Sequence, residues 1–501
     1  MWIAIRQAHT RLGTVKKFAI DPLFKLKCGL EIHTQLQTKY KLFSLSPSDF
    51  HAKPNTNVSF FDSGLPGTQP KLNPEALYLA LKTAVALNSN IQLQSSFDRK
   101  HYFYPDQPLG YQITQHYHPI AKGGFVELNR LDGINKDKVI NLEQIQIEQD
   151  TGRTNYDKHD KSINVDLNRA NTPLIELVTK PDFETLDEVR AFVKKYQTLV
   201  KHLGICSGEL ETGAIRVDVN VSINDQPRVE IKNLGSNGEI QDAIKFEYTR
   251  QVNEVKQNRP IIQETRGWNG NETVSKRRKE NAVDYRYVPD SELPLIHLHE
   301  SIADDIRNSL PALPDKIIKS LVEPPYKLEL KYARFLIENQ EILSYYYKLF
   351  DVVGAAANKW LINELMAAFS KMNVKLDLSL IPPSKLSELI AKVNNNEISL
   401  TSARLIMYEI VQNPANSQKS IDELVEELDL AKPQVSQEDL NEAIEEVCRD
   451  IMANNGDVVT KILNGNKKSI KYLVGLAMRE TQGKVSAKEF ERKFQQLIES
   501  D

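Results

Sequence analysis

Residues 215–223 have the sequence IRVDVNVSI, in which every odd position is Ile or Val and every even position is polar. This alternation is typical of a β-strand that buries one face. A second alternating segment, residues 228–232 (RVEIK), follows the turn-like residues 224–227 (NDQP). The polar residues of both segments have even numbers. They share one sheet face only if even-numbered residues of the first strand pair with even-numbered residues of the second. The connecting loop must then hold an odd number of residues, three or five. We therefore predict a hairpin with one polar face.

The polar face of this hairpin carries both acids and bases, namely Arg216, Asp218, Glu230 and Lys232. Three other strand-like segments also place polar side chains where a plain core strand would not: GLEIH at residues 29–33, QIQIE at 144–148 and PLIELV at 173–178. Glu31 and His33 are two residues apart and hence on one face. Glu176 is embedded in an apolar run, so once buried it must be paired, liganded or protonated.

Together these strands offer oxygen and imidazole ligands from Glu31, His33, Glu176, Asp218 and Glu230. Carboxylates that bridge a divalent cation to nucleotide phosphates are typical of magnesium-dependent phosphoryl transfer. Arg216 and Lys232 would then neutralise phosphate charge. The chain has no Walker A, GxGxxG or GxSxG motif, so any nucleotide site must lie on the sheet itself. A solvent-exposed polar sheet face with surface ion pairs fits the same alternation.

The pattern along the chain predicts an α+β fold with a mainly antiparallel sheet, followed by helices. Helical spacing occurs at residues 74–87, 186–203 and, after Pro294, at 313–321 and 330–353. The formal net charge is −3, so any surface that binds nucleic acid must be local. Cys28, Cys206 and Cys448 lie too far apart to suggest a disulfide framework or a paired-cysteine metal site. No apolar run is long enough for a membrane span.

The first 27 residues are basic and amphipathic, with a single acid, Asp21. This composition is typical of a mitochondrial presequence and favours a location in the mitochondrial matrix. A disordered basic tail is the alternative interpretation.

The alternating strands belong to a longer ordered series of motifs. In chain order these are GLEIH (29–33), LPG (65–67) with LN (72–73), FDRKHYFYPD (97–106), GYQI (110–113), VDLNR (165–169), PLIE (173–176), EIKN (230–233), QETR (263–266), DYRY (284–287) and LVG (473–475) through Gly483. The series resembles the GatB family of amidotransferase subunits over nearly the whole chain from Cys28 onward.

The resemblance implies a cradle-shaped catalytic domain related to glutamine synthetase, followed by helical domains. It divides the chain into a presequence (1–27), a catalytic domain (28–295), a helical linker (296–355), a helical domain (356–456) and a helical tail (457–501). It implies an enzyme that uses ATP and Mg²⁺ to activate the side chain of glutamate, or aspartate, carried on misacylated tRNA, and then amidates it. A mitochondrial location favours glutamate on tRNA(Gln). The ammonia would come from an amidase partner, the A subunit, in a complex with a small third subunit. By position, Glu31, His33, Glu176, Asp218 and Glu230 match catalytic residues.

The resemblance also implies that Glu31, His33, Glu148 and Glu176 share one metal ion. Two departures stand out. Many bacterial members have Glu-Glu-Asp where this chain has Glu148-Gln149-Asp150, so an amide replaces one expected carboxylate. Some members also carry a four-cysteine zinc site, which this chain lacks, so no zinc is expected.

The tail contains a cluster of basic residues, for which we expect contact with the tRNA backbone: Lys467, Lys468, Lys471, Arg479 and Lys484. A merely solvated basic helix is the alternative for this segment. For the whole chain, the alternatives are a non-catalytic scaffold that docks tRNA and a free-standing ligase that acts on a small amino acid. The ligand-rich sheet face argues against the first, and the basic tail against the second.

Overall fold

The computed structural model describes residues 18–49, 52–157, 159–278, 285–431, 437–463, 469–481 and 485–500. The chain divides into two compact units, Met1–Ile317 and Ile318–Asp501, which we call the sheet unit and the helical unit. Most of the expected presequence, residues 1–17, lies outside the described residues.

The sheet unit contains seventeen described strands. They are β1 (Leu26–Gln35), β2 (Asn90–Ile91), β3 (Gln94–Ser95), β4 (Asp98–His101), β5 (Tyr111–Thr114), β6 (Ala121–Lys122), β7 (Phe125–Leu128), β8 (Lys138–Gln149), β9 (Arg153–Tyr156), β10 (Ile163–Asp166), β11 (Pro173–Thr179), β12 (Ile215–Ile223), β13 (Val229–Leu234), β14 (Glu264–Trp268), β15 (Thr273–Arg278), β16 (Val288–Pro289) and β17 (Ile296–His297).

Ten of these strands form one large sheet in the order β15-β14-β13-β12-β1-β11-β8-β6-β2, with β7 paired to β8. Strands β13 and β14 run parallel, and the other described pairs of this sheet are antiparallel. A separate three-stranded sheet has the order β16-β4-β5. The prediction of a mainly antiparallel sheet is therefore confirmed.

Helices cover the apolar face of the large sheet. The sheet unit contains α1 (Pro74–Ala86), α2 (Leu186–His202), α3 (Asn237–Lys256) and α4 (Ile302–Ser309), and α5 (Pro314–Val322) crosses its boundary. The odd-numbered side chains of β12 are fully buried in one core cluster with side chains of α2 and α3. Because this face is packed, the even-numbered polar side chains of β12 face the other way. The helices predicted at residues 74–87 and 186–203 are confirmed.

The sheet unit extends beyond both ends of the predicted catalytic domain (28–295). At its start, β1 begins at Leu26, and Phe18, Ile20 and Phe24 pack against the core. At its end, β17 pairs with β3, and the compact unit runs to Ile317. The boundaries differ because short apolar segments outside the alternating strands also contribute to this core.

The helical unit continues with α6 (Leu330–Glu338), α7 (Gln340–Val353), α8 (Ala356–Lys359), a π-helical turn (Trp360–Leu365), α9 (Met366–Met372), α10 (Pro383–Asn394), α11 (Leu400–Gln412), α12 (Ile421–Glu427), α13 (Gln437–Asn454), α14 (Gly456–Leu463), α15 (Ile470–Glu480) and α16 (Ala487–Ser500). The continuous periodicity at residues 330–353 hides a break, because Asn339 is extended and its side chain caps α7. The core around the predicted tail also includes Cys448 and Ile451 of α13, ahead of residue 457. Within the described residues, no helix combines the length and apolarity needed to cross a bilayer.

Candidate functional site

The polar side chains of the central strands form rows across one face of the large sheet. His33 of β1 lies opposite Glu176 of β11, and Glu31 lies opposite Asp218 of β12. Directly opposite residues share a face, so each row brings side chains from different strands together.

The hairpin between β12 and β13 confirms the predicted register. Asn220 pairs with Glu230, both even, across a loop of five residues, 224–228. The register then shifts at a bulge between Val217 and Val219. The predicted polar face therefore forms, and the functional side chains of β13 join those of β1 and β12.

The first group of candidate ligands, the His33 cluster, consists of His33, Glu148 and Glu176. One ligand atom of each lies within 4.8 Å of the others. His33 Nε2 is 3.4 Å from Glu148 Oε1 and 3.9 Å from Glu176 Oε2. Thr114 Oγ1 donates a hydrogen bond of 2.9 Å to Glu148, and the amide of Gln146 donates one of 2.7 Å to Glu176. Three strands and their neighbours thus orient an imidazole and two carboxylates toward one point.

Electrostatics in the His33 cluster follow from burial and crowding. Burial alone would lower the pKa of His33, but the hydrogen bond to Glu148 and the charge of Glu176 raise it to about 9. Burial, and then the negative charge of Glu148, raise the pKa of Glu176 to about 7. A divalent cation would relieve this repulsion between carboxylates, because it would be the largest local charge. The two carboxylates therefore fit a cation that takes oxygen ligands, and His33 would add a nitrogen ligand only in its neutral form.

The second group, the Glu31 cluster, consists of Glu31, Asp218 and Glu230, and their ligand oxygens also lie within 4.8 Å of one another. Lys232 Nζ lies 2.8 Å from Asp218 Oδ2 and 2.7 Å from Glu230 Oε1. Burial opposes the charge on Lys232, but these two carboxylates raise its pKa above the ordinary value. Lys232 is therefore an ion-paired cation at the edge of this cluster.

The residues expected to share one ion fall into two adjacent groups. His33, Glu148 and Glu176 form one group, and Glu31 lies with Asp218 and Glu230. Glu31 and His33 are two residues apart on β1, which spans roughly 7 Å along the strand. The sharing of one ion by Glu31, His33, Glu148 and Glu176 stays a prediction.

Both clusters border one cavity of about 470 Å³, which we call the acidic cavity. Its lining residues are Glu31, His33, Lys100, His116, Gln144, Gln146, Glu148, Glu176, Val178, Asn220, Arg228, Glu230, Lys232, Gln263, Glu264, Thr265, Tyr285 and Tyr287. The cavity unites the predicted residues from β1, β8, β11 and β13.

One wall of the acidic cavity was missed by reasoning from the alternating strands. Lys100 Nζ lies 4.7 Å from the ring centre of Tyr285, and the rings of His116 and Tyr287 stack at 3.9 Å. Burial would lower the pKa of Lys100, but the charge of Glu148 raises it above the ordinary value. The signal for this wall is the basic and aromatic run at residues 99–104, which the sequence offers as a segment that stacks bases or shapes an active-site loop, or as a packed turn.

Arg216, expected to bind phosphate, does not line the acidic cavity. Its guanidinium donates to both carboxylate oxygens of Asp150, at 3.1 and 3.0 Å. Asp150 also accepts a hydrogen bond from Gln35. Arg216 borders a separate cavity of about 340 Å³. The bidentate pairing with Asp150 accounts for its different direction, because that carboxylate lies beyond the end of β8.

Gln149 does not replace a ligand of the cavity. Its side chain is buried, and its amide oxygen accepts a hydrogen bond of 2.8 Å from the backbone N–H of Ile113. Glu148, its neighbour on β8, lines the cavity. Alternation along the strand places consecutive side chains on opposite faces, so the amide at position 149 leaves the cavity's charge unchanged.

The expected tRNA contacts are only partly within the described residues. Lys471 and Arg479 are exposed on α15, whereas Lys467, Lys468 and Lys484 lie outside the described residues.

Comparisons with known proteins cover almost the whole chain. The family described as "GatB/GatE catalytic domain" matches residues 26–304, and the one described as "GatB domain" matches residues 347–498. A protein of Scheffersomyces stipitis, named as the B subunit of mitochondrial glutamyl-tRNA(Gln) amidotransferase, is 63% identical, covering 99% of both chains. Proteins of the same name from Debaryomyces hansenii and Candida tropicalis are 62% and 59% identical, covering 96% of this chain and 96% and 98% of their own.

Proposed function

This chain belongs to the GatB family, and from that premise we propose that its acidic cavity activates the glutamyl side chain carried on tRNA(Gln). The protein acts within a mitochondrial glutamyl-tRNA(Gln) amidotransferase, a ligase complex that takes its amide nitrogen from glutamine. The observation that carries the proposal is the meeting of two acidic clusters and two lysines in one cavity.

The chemistry requires activation because a carboxylate is a poor acylating agent. In the first step, a side-chain carboxylate oxygen of the glutamyl group attacks the γ-phosphorus of ATP, and ADP leaves. In the second step, ammonia forms the new C–N bond while the C–O bond to phosphate breaks, and ammonia loses a proton. The protein's contribution is to hold the reacting groups in line and to balance their charge.

Magnesium takes oxygen ligands, so the carboxylates of both clusters fit it, whereas His33 would join them only as a neutral imidazole. The His33 cluster and the Glu31 cluster would hold it. When bound, Mg²⁺ supplies charge neutralisation for the phosphates. Thr114 and Gln146 orient the carboxylates of Glu148 and Glu176, and Lys232 offsets the charge of Asp218 and Glu230.

The proposal extends to the fold and the partners. A sheet-borne site without a phosphate loop supports a relationship to the cradle of glutamine synthetase. Ammonia would come from the amidase partner, the A subunit, and a small third subunit would complete the assembly. The basic tail, including Lys471 and Arg479, would contact the tRNA backbone, and a presequence would direct import into the matrix.

Substitution in the His33 cluster tests this proposal against a scaffold that only docks tRNA. In the assembled complex, Glu176→Gln is expected to abolish ATP-dependent amidation of glutamyl-tRNA while leaving tRNA affinity nearly unchanged, because it alters a group of the chemical step. Glu184→Gln is the matched control, since Glu184 is an exposed glutamate of the same unit that pairs with Lys138. Normal turnover of the Glu176→Gln complex would favour the scaffold.

A further inference from the structure

Three lysine and arginine side chains line the acidic cavity, and they differ in how they are engaged: Lys100, Arg228 and Lys232. Lys232 is held between two carboxylates, at 2.8 and 2.7 Å. Arg228 is exposed at the end of the hairpin loop. Lys100 is only partly exposed, and within the described part of the chain no carboxylate oxygen lies within 4.0 Å of its nitrogen. Among the residues that the structure describes, Lys100 is therefore a cavity cation without a close carboxylate partner, and its charge is available to a ligand.

The ammonium group of Lys100 is positioned by an aromatic ring. Its nitrogen lies 4.7 Å from the ring centre of Tyr285, a distance typical of a cation–π contact. An ammonium has three donors, and a ring face satisfies them only weakly. The remaining donors can thus serve an acceptor that enters the cavity.

Lys100 lies on the side of the cavity occupied by the His33 cluster. It pairs across β4 and β5 with Gln112, whose amide donates to Glu148 at 3.3 Å. Glu148 and Glu176 are also the carboxylates whose charges act on it. Lys232, in contrast, belongs to the Glu31 cluster. The two lysines thus lie beside different clusters of the cavity.

We propose that Lys100, held by Tyr285, binds the side-chain carboxylate of the glutamyl group. The inference rests on the proposed function and identifies how that substrate is recognised. A free carboxylate that enters beside Glu148 and Glu176 meets like charges, and the ammonium of Lys100 adds to the charge of His33 in offsetting this repulsion. Lysine suits this task because its ammonium is a compact point charge.

The same contact distinguishes substrate from product. Amidation converts the carboxylate to a neutral amide, so the attraction to Lys100 falls once the reaction is complete. Glutamyl-tRNA should therefore bind more tightly than glutaminyl-tRNA, although the two share the same tRNA body. Lys100 is in this sense a specificity-determining residue that favours release of the product.

The test uses the assembled amidotransferase with ammonium chloride as nitrogen donor, so that ammonia transfer from glutamine is not measured. We expect Lys100→Met to lower kcat/KM for glutamyl-tRNA by about 10- to 100-fold, the range expected for a hydrogen bond to a charged group. The Lys100→Met complex should bind glutamyl-tRNA no more tightly than glutaminyl-tRNA, while its KM for ATP stays unchanged. Lys100→Arg should retain most of the preference. Lys122→Met, a change of an exposed lysine on β6, should have no effect.

Several results would overturn the assignment. A raised KM for ATP with an unchanged preference between the two tRNAs would place Lys100 at the phosphates. Near-normal kinetics of Lys100→Met would remove it from substrate binding altogether. A wild-type complex that fails to amidate would instead contradict the proposed function.

If Lys100→Met does not fold, Tyr285→Leu and Tyr285→Phe provide the same comparison. Tyr285→Leu should lose the preference for glutamyl-tRNA over glutaminyl-tRNA, and Tyr285→Phe should keep it, because only phenylalanine retains an aromatic ring beside the ammonium. Equal behaviour of these two variants would refute the positioning by Tyr285.

Discussion

Replacing Lys41 by methionine is expected to destabilise the sheet unit, because it removes one half of a buried ion pair. The side chains of Lys41 and Asp62 are both fully buried, and Lys41 Nζ lies 3.1 Å from Asp62 Oδ2. Methionine fills a similar volume but carries no charge, so the carboxylate stays buried without this cation. Breaking such a pair typically costs about 3–5 kcal/mol.

The surroundings of Asp62 place the effect toward the lower end of this range. Its carboxylate keeps neutral donors from Ser44 at 3.0 Å, the backbone of Ser59 at 2.8 Å and the amide of Asn171 at 2.9 Å. We therefore expect a loss of about 3 kcal/mol, which at a urea dependence of about 3 kcal/mol per molar is a shift of roughly 1 M in the midpoint. Adding Asp62→Asn should recover about half of this loss, since the amide removes the unpaired charge.

Tryptophan provides a separate probe for each unit. Trp268 lies in β14 of the sheet unit, and Trp360 lies in the helical unit. Fluorine NMR of protein labelled with 5-fluorotryptophan, recorded during urea unfolding, follows the signals of Trp268 and Trp360 in one sample, once the third signal, from Trp2, is assigned by substitution. An unchanged Trp268 midpoint in Lys41→Met, or a double variant no more stable than the single one, would refute the reasoning.

Three further outcomes are expected. Gln149→Glu should leave the magnesium concentration needed for half-maximal amidation unchanged, because this side chain is turned away from the cavity; a tighter requirement would contradict that orientation. N-terminal sequencing of the mitochondrial protein should find a terminus ahead of Phe18, since residues from Phe18 onward pack against the core; a start after residue 27 would show that these contacts are dispensable. Lys471→Ala with Arg479→Ala should weaken tRNA binding and flatten its salt dependence by about one unit of slope per lost phosphate contact; an unchanged slope would count against the tail as a tRNA surface.

Period-two alternation predicted the face that carries the site, because buried sheets constrain register strongly. The even-numbered pairing of Asn220 with Glu230 follows from that rule. The same rule could not predict the fate of Arg216, whose direction depends on Asp150, a residue far away in sequence. Alternation predicts the sheet face on which a side chain lies, but not the residue with which it pairs.

The wall formed by Lys100 and Tyr285 shows a second limit of prediction from sequence. Lys100 lies on the short strand β4 and Tyr285 lies in a segment without regular structure, and only the tertiary structure brings them to the same cavity. Helical periodicity has a similar limit at Asn339, where the apolar spacing continues across a capped break between α6 and α7. Periodicity in the sequence therefore located most helices and the strands of the large sheet that form the floor of the acidic cavity. It did not locate the wall formed by Lys100 and Tyr285.

The floor and the wall of the acidic cavity differ in how firmly the backbone is held. Strand β1, with Glu31 and His33, lies inside the large sheet and is hydrogen-bonded along both edges, to β11 and β12. Lys100 lies on β4, which is also paired on both sides, but in a separate sheet of three strands that have only two to four residues each. Backbone amides of β1 should therefore exchange with solvent more slowly than those of β4, because fewer hydrogen bonds hold the short strands. The substrates would meet a rigid template on one side and a less firmly held contact on the other.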